Sequence, residues 1–290
     1  MGKEFIFCIR FSGITVRFSL PTPVKLQECF TNLMCEDVEC PDAEYSVELI
    51  SSPLCPDTEP VAEIGGTYVY NTTEGCLHIY TPLNDEDGCQ GACLLSKNGK
   101  HTMFYPASTW EKHSKYWHVT HLLRGEALLL MHNAFLLHSS VVMIDGKAVL
   151  FSGPSGMGKS TQADLWKKYT NAEILNGDRC VIMEKNGIFY GGGSLWCGTS
   201  GINRPEQAPI AGIFILEQSK ENKATTLGAR GFTPLFSQTT VNTWDSEFID
   251  KVTTLYDGLL RSVPVYKLQC TPDKEAVKCA YRTLFGKELP

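Results

Sequence analysis

The sequence predicts a mixed α/β fold, with a smaller β-rich N-terminal domain over residues 1–112 followed by an α/β domain over residues 113–290. Three observations carry this expectation. Alternating apolar and polar runs separated by turn dipeptides fill the first part, hairpins and helical stretches share the second, and a glycine-rich loop there stands between an apolar strand and a helix. A chain of 290 residues has room for one large or two modest domains.

Taken in order, EFIFCIRFSGITVRFSL gives two alternating runs around Gly13, and TYVYNTTEGCLHIY reads as a hairpin. CLLSKNGKHTMFY is another, turned at Asn98-Gly99, a dipeptide that accepts the positive φ angles of a type I′ turn. Between them, residues 35–65 are rich in Cys, Pro, Asp and Glu and read as loops. Apolar residues at helical spacing predict a helix over about 116–136. VVMIDGKAVLFSG is a hairpin turned at Asp145-Gly146, followed by the glycine-rich loop and a helix from about Lys159 to Tyr169. A further hairpin turns at Asn186-Gly187, and AGIFILEQ and PVYKLQC read as core strands. The last helix is expected to start with Thr271 as N-cap and Pro272 at its first position.

Composition narrows the function. Lys and Arg number 26 against 32 Asp and Glu, a net charge of −6 that argues against a general nucleic-acid binder. With 43% hydrophobic residues the chain can bury a real core, which argues against disorder. No apolar run is long enough for a membrane span; the nearest, LLRGEALLLMHNAFLL, is broken by Arg124, Glu126, His132 and Asn133. MGKEFIFCIRF lacks a signal-peptide layout, and Ile6 stands where a myristoylation signal needs Ser or Thr, so a cytoplasmic protein is expected. The 12 cysteines include no C-x-x-C pair, and Cys35/Cys40 and Cys89/Cys93 have no matching partners downstream; they read as partly buried free thiols.

GPSGMGKST, Gly153 to Thr161, matches the phosphate-binding pattern G-x-x-x-x-G-K-[ST] in full. Gly153, Gly156 and Gly158 let the backbone bend so that N–H groups around Ser155 and Met157 point inward and cradle phosphate oxygens. The following helix adds its positive N-terminus. Lys159 is placed to reach the β- and γ-phosphates, and Ser160 to take a Mg²⁺ position, with Thr161 beside it. The expected ligands are ATP, or another nucleoside triphosphate, and Mg²⁺.

Such a site needs a carboxylate near the metal. Asp178, in AEILNGDRCVIM, follows the apolar pair Ile174-Leu175 and suits either metal ligation or general-base work; the other reading is an ordinary turn residue beside Gly177. His138, in LLHSSVV, lies just ahead of the hairpin that feeds the loop, so it either approaches the phosphates or is a core histidine.

HSSVVMIDGKAVLFSGPSGMGKST followed by ILNGDR resembles the HPr kinase/phosphorylase family and its wider relatives, which share a nucleotide-binding core with ATP-dependent phosphoenolpyruvate carboxykinase. The resemblance covers roughly residues 120–285 and implies that core, with Lys159 and Ser160 as phosphate and Mg²⁺ contacts. It further implies that Asp178 is the metal-facing member of an acidic pair and His138 the phosphate-side histidine. The first acidic position is Gly177 here, so base and metal-ligand duties are not divided between adjacent carboxylates. Asp178 acting through a water, or His138, would then take the proton. The family's signature segment after the core is absent, which speaks against HPr itself as substrate.

Trp196 and Cys197 lie in GGGSLWCGTSGINR, either a lid over substrate or nucleotide or a packed Trp beside a surface loop. Arg204 and Arg230 are the cations singled out for neutralising transferred phosphoryl charge. The expected function is a kinase moving the γ-phosphoryl group to a hydroxyl of a small molecule or a peptide serine. The alternatives are a nucleotide sensor with weakened chemistry, and a hydrolase or phosphorylase using water or phosphate.

Overall fold

The computed structural model describes residues 4–81, 91–115 and 122–289. Internal contacts divide the chain into two compact units, Met1–Arg10 with Ile14–Leu128, and Phe11–Gly13 with Leu129–Pro290. Each is built on a sheet that mixes parallel and antiparallel pairs, so the fold class is mixed α/β as the sequence predicts. No helix among the described residues is long and apolar enough to cross a membrane.

The strands of the first unit are β1 (Phe5–Phe11), β2 (Ile14–Leu20), β3 (Met34–Cys35), β4 (Ala43–Ile50), β5 (Ala62–Ile64), β6 (Thr67–Asn71), β7 (Gly75–Tyr80), β8 (Gly91–Ser96) and β9 (His101–Pro106). They lie in the order β3-β1-β2-β4-β9-β8-β7-β6-β5. A short helix, α1 (Glu28–Thr31), sets Phe30 edge-on to Phe18, which also stacks on Phe7 at 4.9 Å and on Tyr45 at 5.2 Å. Offset and edge-on rings of this kind fill a core with well-defined geometry.

Three expectations need correction here. Residues 35–65 are not all loop: β4 is a central strand, parallel to both β2 and β9. Its alternation of Ala43, Tyr45, Val47 and Leu49 with Glu44, Ser46 and Glu48 has strand period, obscured by the Pro- and Cys-rich flanks. At the Asn98-Gly99 turn Gly99 has φ +83° and Asn98 is not left-handed, so the turn is not type I′. The helix expected over 116–136 is instead α3 (Gly125–Met131), after α2 (Trp110–Lys115); residues 116–121 lie outside the described residues. Asn133, at φ +53°, turns the chain, and Ala134 already begins a strand.

The strands of the second unit are β10 (Ala134–Ile144), β11 (Lys147–Ser152), β12 (Glu173–Asn176), β13 (Arg179–Lys185), β14 (Ile188–Gly192), β15 (Gln207–Gln218), β16 (Lys223–Thr226) and β17 (Val265–Cys270). Two of them, β10 and β15, are long enough to change partners along their length. Residues 134–138 of β10 pair with β13, whereas 139–144 pair with β11. The start of β15 pairs with β14 and the remainder runs parallel to β11 and β17. The pairs β11–β10, β10–β13, β13–β14, β14–β15 and β15–β11 therefore close a ring.

β11 is buried on both faces, which is why AVLF reads as continuous rather than alternating. Val149 and Phe151 pack with Trp166 of α4 (Lys159–Tyr169) and with Val277 and Tyr281 of α7 (Lys274–Phe285). Ala148 and Leu150 face the other side, toward Val252, Tyr256 and Leu259 of α6 (Ser246–Ser262), which follows the short α5 (Phe232–Phe236). The N-cap of α7 is Asp273, whose carboxylate accepts from Glu275 N, and not Thr271. Thr271 is held by Asn222, whose Nδ2 donates to the Thr271 hydroxyl and whose Oδ1 accepts from its amide. The eleven described cysteines are free thiols; Cys89 lies outside the described residues.

Candidate functional site

The loop leaves the C-terminal end of β11 and opens directly into α4. Gly153, Gly156 and Gly158 adopt φ of +150°, +78° and +102°, values that a side chain at these positions would strain. Met157 N donates to Pro154 O, closing the tight part of the loop. The Lys159 side chain folds back across it and donates from Nζ to Gly153 O (2.8 Å) and Pro154 O (3.1 Å). Its burial lowers the ammonium pKa below the usual lysine range, and the Asp178 carboxylate opposes that shift. Ser160 and Thr161 are exposed at the helix start, and Ser155 at the loop tip.

The change of partners along β10 explains why His138 comes to this place. Ser139 sits opposite Ser152, the last residue before the loop, while His138 sits opposite Arg179, the first residue after Asp178. The same strand therefore brings the loop and the β12–β13 turn together. Two serine hydroxyls fasten the junction: Ser152 Oγ donates to His138 O, and Ser140 Oγ to Lys159 O at 2.8 Å. Asp178 is held in the β12–β13 turn by Asn176, whose Oδ1 accepts from the amides of Asp178 (2.8 Å) and Arg179 (2.9 Å). That local side-chain capture is what Asn offers at a turn.

The Asp178 carboxylate lies between His138 Nε2, 3.3 Å from Oδ1, and Arg179 Nε, 3.7 Å from Oδ2. Both His138 and Asp178 keep part of their surface open, at 28% and 32% exposed. Burial, and then the Lys159 charge, push the His138 pKa below its ordinary value, while Asp178 pulls the other way. The imidazole is therefore neutral near physiological pH and can accept a proton.

The segment after β14 covers this turn. Ser194 is fully buried; its hydroxyl donates to Arg179 O (2.6 Å) and accepts from Trp196 N (3.1 Å). Gly198 and Ser200, in a single 3₁₀ turn, reach Asp178 and Gly177. A Cβ on Gly198 would lie 2.8 Å from Asp178 Cγ, and a Cβ on Gly177 would lie 2.7 Å from Ser200 Cβ and closer still to its hydroxyl. The Ser200 side chain thus fills the space that a residue-177 side chain would need.

No protein-family model and no curated protein matches the chain. Among solved structures, the Hpr(Ser) kinase/phosphatase from Coxiella burnetii is a weak neighbour: it aligns over 52% of this chain and 93% of its own at 12% identity, with a TM-score of 0.30.

Of the residues singled out from the sequence, the structure brings together Lys159, His138 and Asp178 with the loop from Gly153 to Thr161. Trp196 is half-buried at the base of the covering segment. Arg204 forms an ion pair with Glu173, and Arg230 donates to Thr226 O; among the described residues neither is hydrogen-bonded or ion-paired to the loop or to Asp178. The cation that does stand at Asp178 is Arg179, with Nη1 donating to Thr240 Oγ1 at 2.7 Å. Its adjacency to Asp178 in the sequence was the available signal. A cleft of about 350 Å³ adjoins the loop, lined by Gly156, Thr161 and Gln162 and, from the ends of β15 and β17, by Gln218 and Thr271. Local pattern does not mark Gln218 or Thr271, because only strand pairing brings them there.

Proposed function

We propose that this chain transfers the γ-phosphoryl group of ATP, or another nucleoside triphosphate, to a hydroxyl group. The observation that carries the reading is the convergence of a lysine-bearing glycine loop at a helix N-terminus with Asp178 of the adjoining turn and His138 of the strand beside it. The glycine loop and Lys159 bind the phosphates, and the neighbouring cleft takes the rest of the nucleotide. The chain's own donors suit Mg²⁺: the exposed Ser160 hydroxyl and the partly open Asp178 carboxylate are hard oxygens, few in number, as for an ion held mainly by substrate phosphates. When bound, Mg²⁺ neutralises phosphate charge. Asp178 and His138 orient the acceptor hydroxyl and take its proton, and Arg179 offsets charge on the transferred group.

The second reading, a nucleotide sensor with weak chemistry, is favoured by Ser200 standing where a second carboxylate would have to fit. Calorimetry with Mg²⁺ and nucleoside triphosphates, run beside a screen of hydroxyl acceptors, separates the two. Binding with product formation supports transfer, and tight binding without turnover supports the sensor. Silence toward every nucleotide ends both.

A further inference from the structure

The sequence offers no reason to single out Ser200, yet the fold presents its hydroxyl against Gly177, the chain neighbour of Asp178. The residue belongs to the 3₁₀ turn Gly198–Ser200, which begins with Gly198 at φ +57° and is followed by Gly201 at φ +64°. These glycines bend the chain so that the turn lies against the site. Gly198 touches the Asp178 side chain, with a Cβ there only 2.8 Å from Asp178 Cβ and Cγ and 3.2 Å from Oδ2. Ser200 stands in the space above Gly177, the neighbour of Asp178. Its hydroxyl donates to Cys197 O at 2.7 Å and accepts from Ile202 N at 3.2 Å, residues on either side of the turn, and the residue stays exposed.

Two contacts of one turn, Gly198 with Asp178 and Ser200 with Gly177, thus set an exposed primary hydroxyl beside the chain neighbour of the carboxylate that would take a proton from an acceptor. A side chain at residue 177 would exclude it; glycine admits it. We infer that Ser200 is a phosphoryl acceptor in the same chain, so that the protein phosphorylates its own covering turn. This rests on the phosphotransfer reading above.

In this step the bond between the γ-phosphorus and its bridging oxygen breaks as the Ser200 Oγ–P bond forms. The nucleoside diphosphate leaves with the electron pair, and the hydroxyl proton is taken up by the Asp178–His138 pair. The turn is short and held at both ends, by the Ser194 hydrogen bonds before it and by Arg204 N donating to Leu175 O after it. Reaction within one molecule is therefore favoured over reaction between two, because the acceptor is already positioned.

The test uses the full chain with Mg²⁺ and γ-labelled ATP and GTP, followed by phosphopeptide mapping and, in parallel, nucleotide binding by calorimetry. The expected result is a single phosphoryl group on Ser200, formed at a rate independent of protein concentration. Label is lost in Ser200→Ala and falls by about a hundredfold or more in Asp178→Asn. Circular dichroism and retained nucleotide binding confirm that Ser200→Ala is folded. Label on Thr199 or elsewhere, or nucleotide binding and transfer to an added acceptor with Ser200 unmodified, overturns the inference and leaves the phosphotransfer reading standing. No nucleotide binding at all overturns both.

Discussion

At the scale of single residues, the site depends on a few charges whose neighbours are fixed by backbone geometry. Lys159 is held over the loop by two carbonyls that phosphate oxygens are expected to replace as its partners. Lys159→Ala should therefore weaken triphosphate binding by about 2–5 kcal/mol, the usual cost of removing one partner of a buried charged contact, as read by calorimetry. Asp178→Asn keeps the turn, because the Asn176 capture uses backbone amides, and should preserve nucleotide binding while stopping transfer. Turnover within a few-fold of the parent would sink the assignment of Asp178. Gly177 is the residue at which the chain departs from the two-carboxylate pattern, and the structure shows what an acid there would meet. Gly177→Asp should displace the turn carrying Ser200 and lower stability by about 1–3 kcal/mol, seen as a reduced melting temperature, with most of the loss recovered in Gly177→Asp/Ser200→Gly. No recovery in the double variant would mean that Ser200 is not the obstacle.

At the scale of elements, α4 matters most, because it carries Lys159 and Ser160 and is seated by one large ring. Trp166 is fully buried, 5.7 Å from Phe151 of β11 and 6.1 Å from Tyr281 of α7. Trp166→Ala should cost about 3–5 kcal/mol of stability in denaturant unfolding and weaken nucleotide binding with it, since the helix N-terminus moves when its base is hollowed. Much of this was legible beforehand. The extent of α4, Lys159–Tyr169, follows from the glycine loop and the apolar spacing, and the Asp145-Gly146 and Asn186-Gly187 turns adopt the positive φ values their residue types favour. What local pattern could not give is anything set by distant pairing. β4 was hidden by its Pro- and Cys-rich flanks, and His138 comes to face Arg179 only because β10 lies opposite β13. Thr271 makes a reasonable N-cap until Asn222, far away in sequence, claims its hydroxyl.

At the scale of the whole molecule, the first unit carries a dependence on acid. Its His78 and His101 are nearly fully buried, and burial with a smaller contribution from Arg124 pushes their pKa values down to about 3 and about 4. In the unfolded chain both titrate near 6.5, so the unfolded state binds more protons between 6.5 and the folded values. The stability of the first unit should thus be level above about pH 6.5 and fall as pH drops toward about 4, by roughly 1.4 kcal/mol per pH unit for each histidine. Urea midpoints taken between about pH 6.5 and 5, above most of the carboxylate range, test this; stability rising with acid there would refute it. The second unit carries a different dependence, written in its chain order. The loop strand β11 has β10 beside it almost at once, but its other flank is filled by β15, which does not end until Gln218. During synthesis the glycine loop therefore emerges with one flank of its strand unpaired until a late parallel partner follows. A nascent chain halted before that strand should display the full loop motif without binding the nucleotide proposed for it.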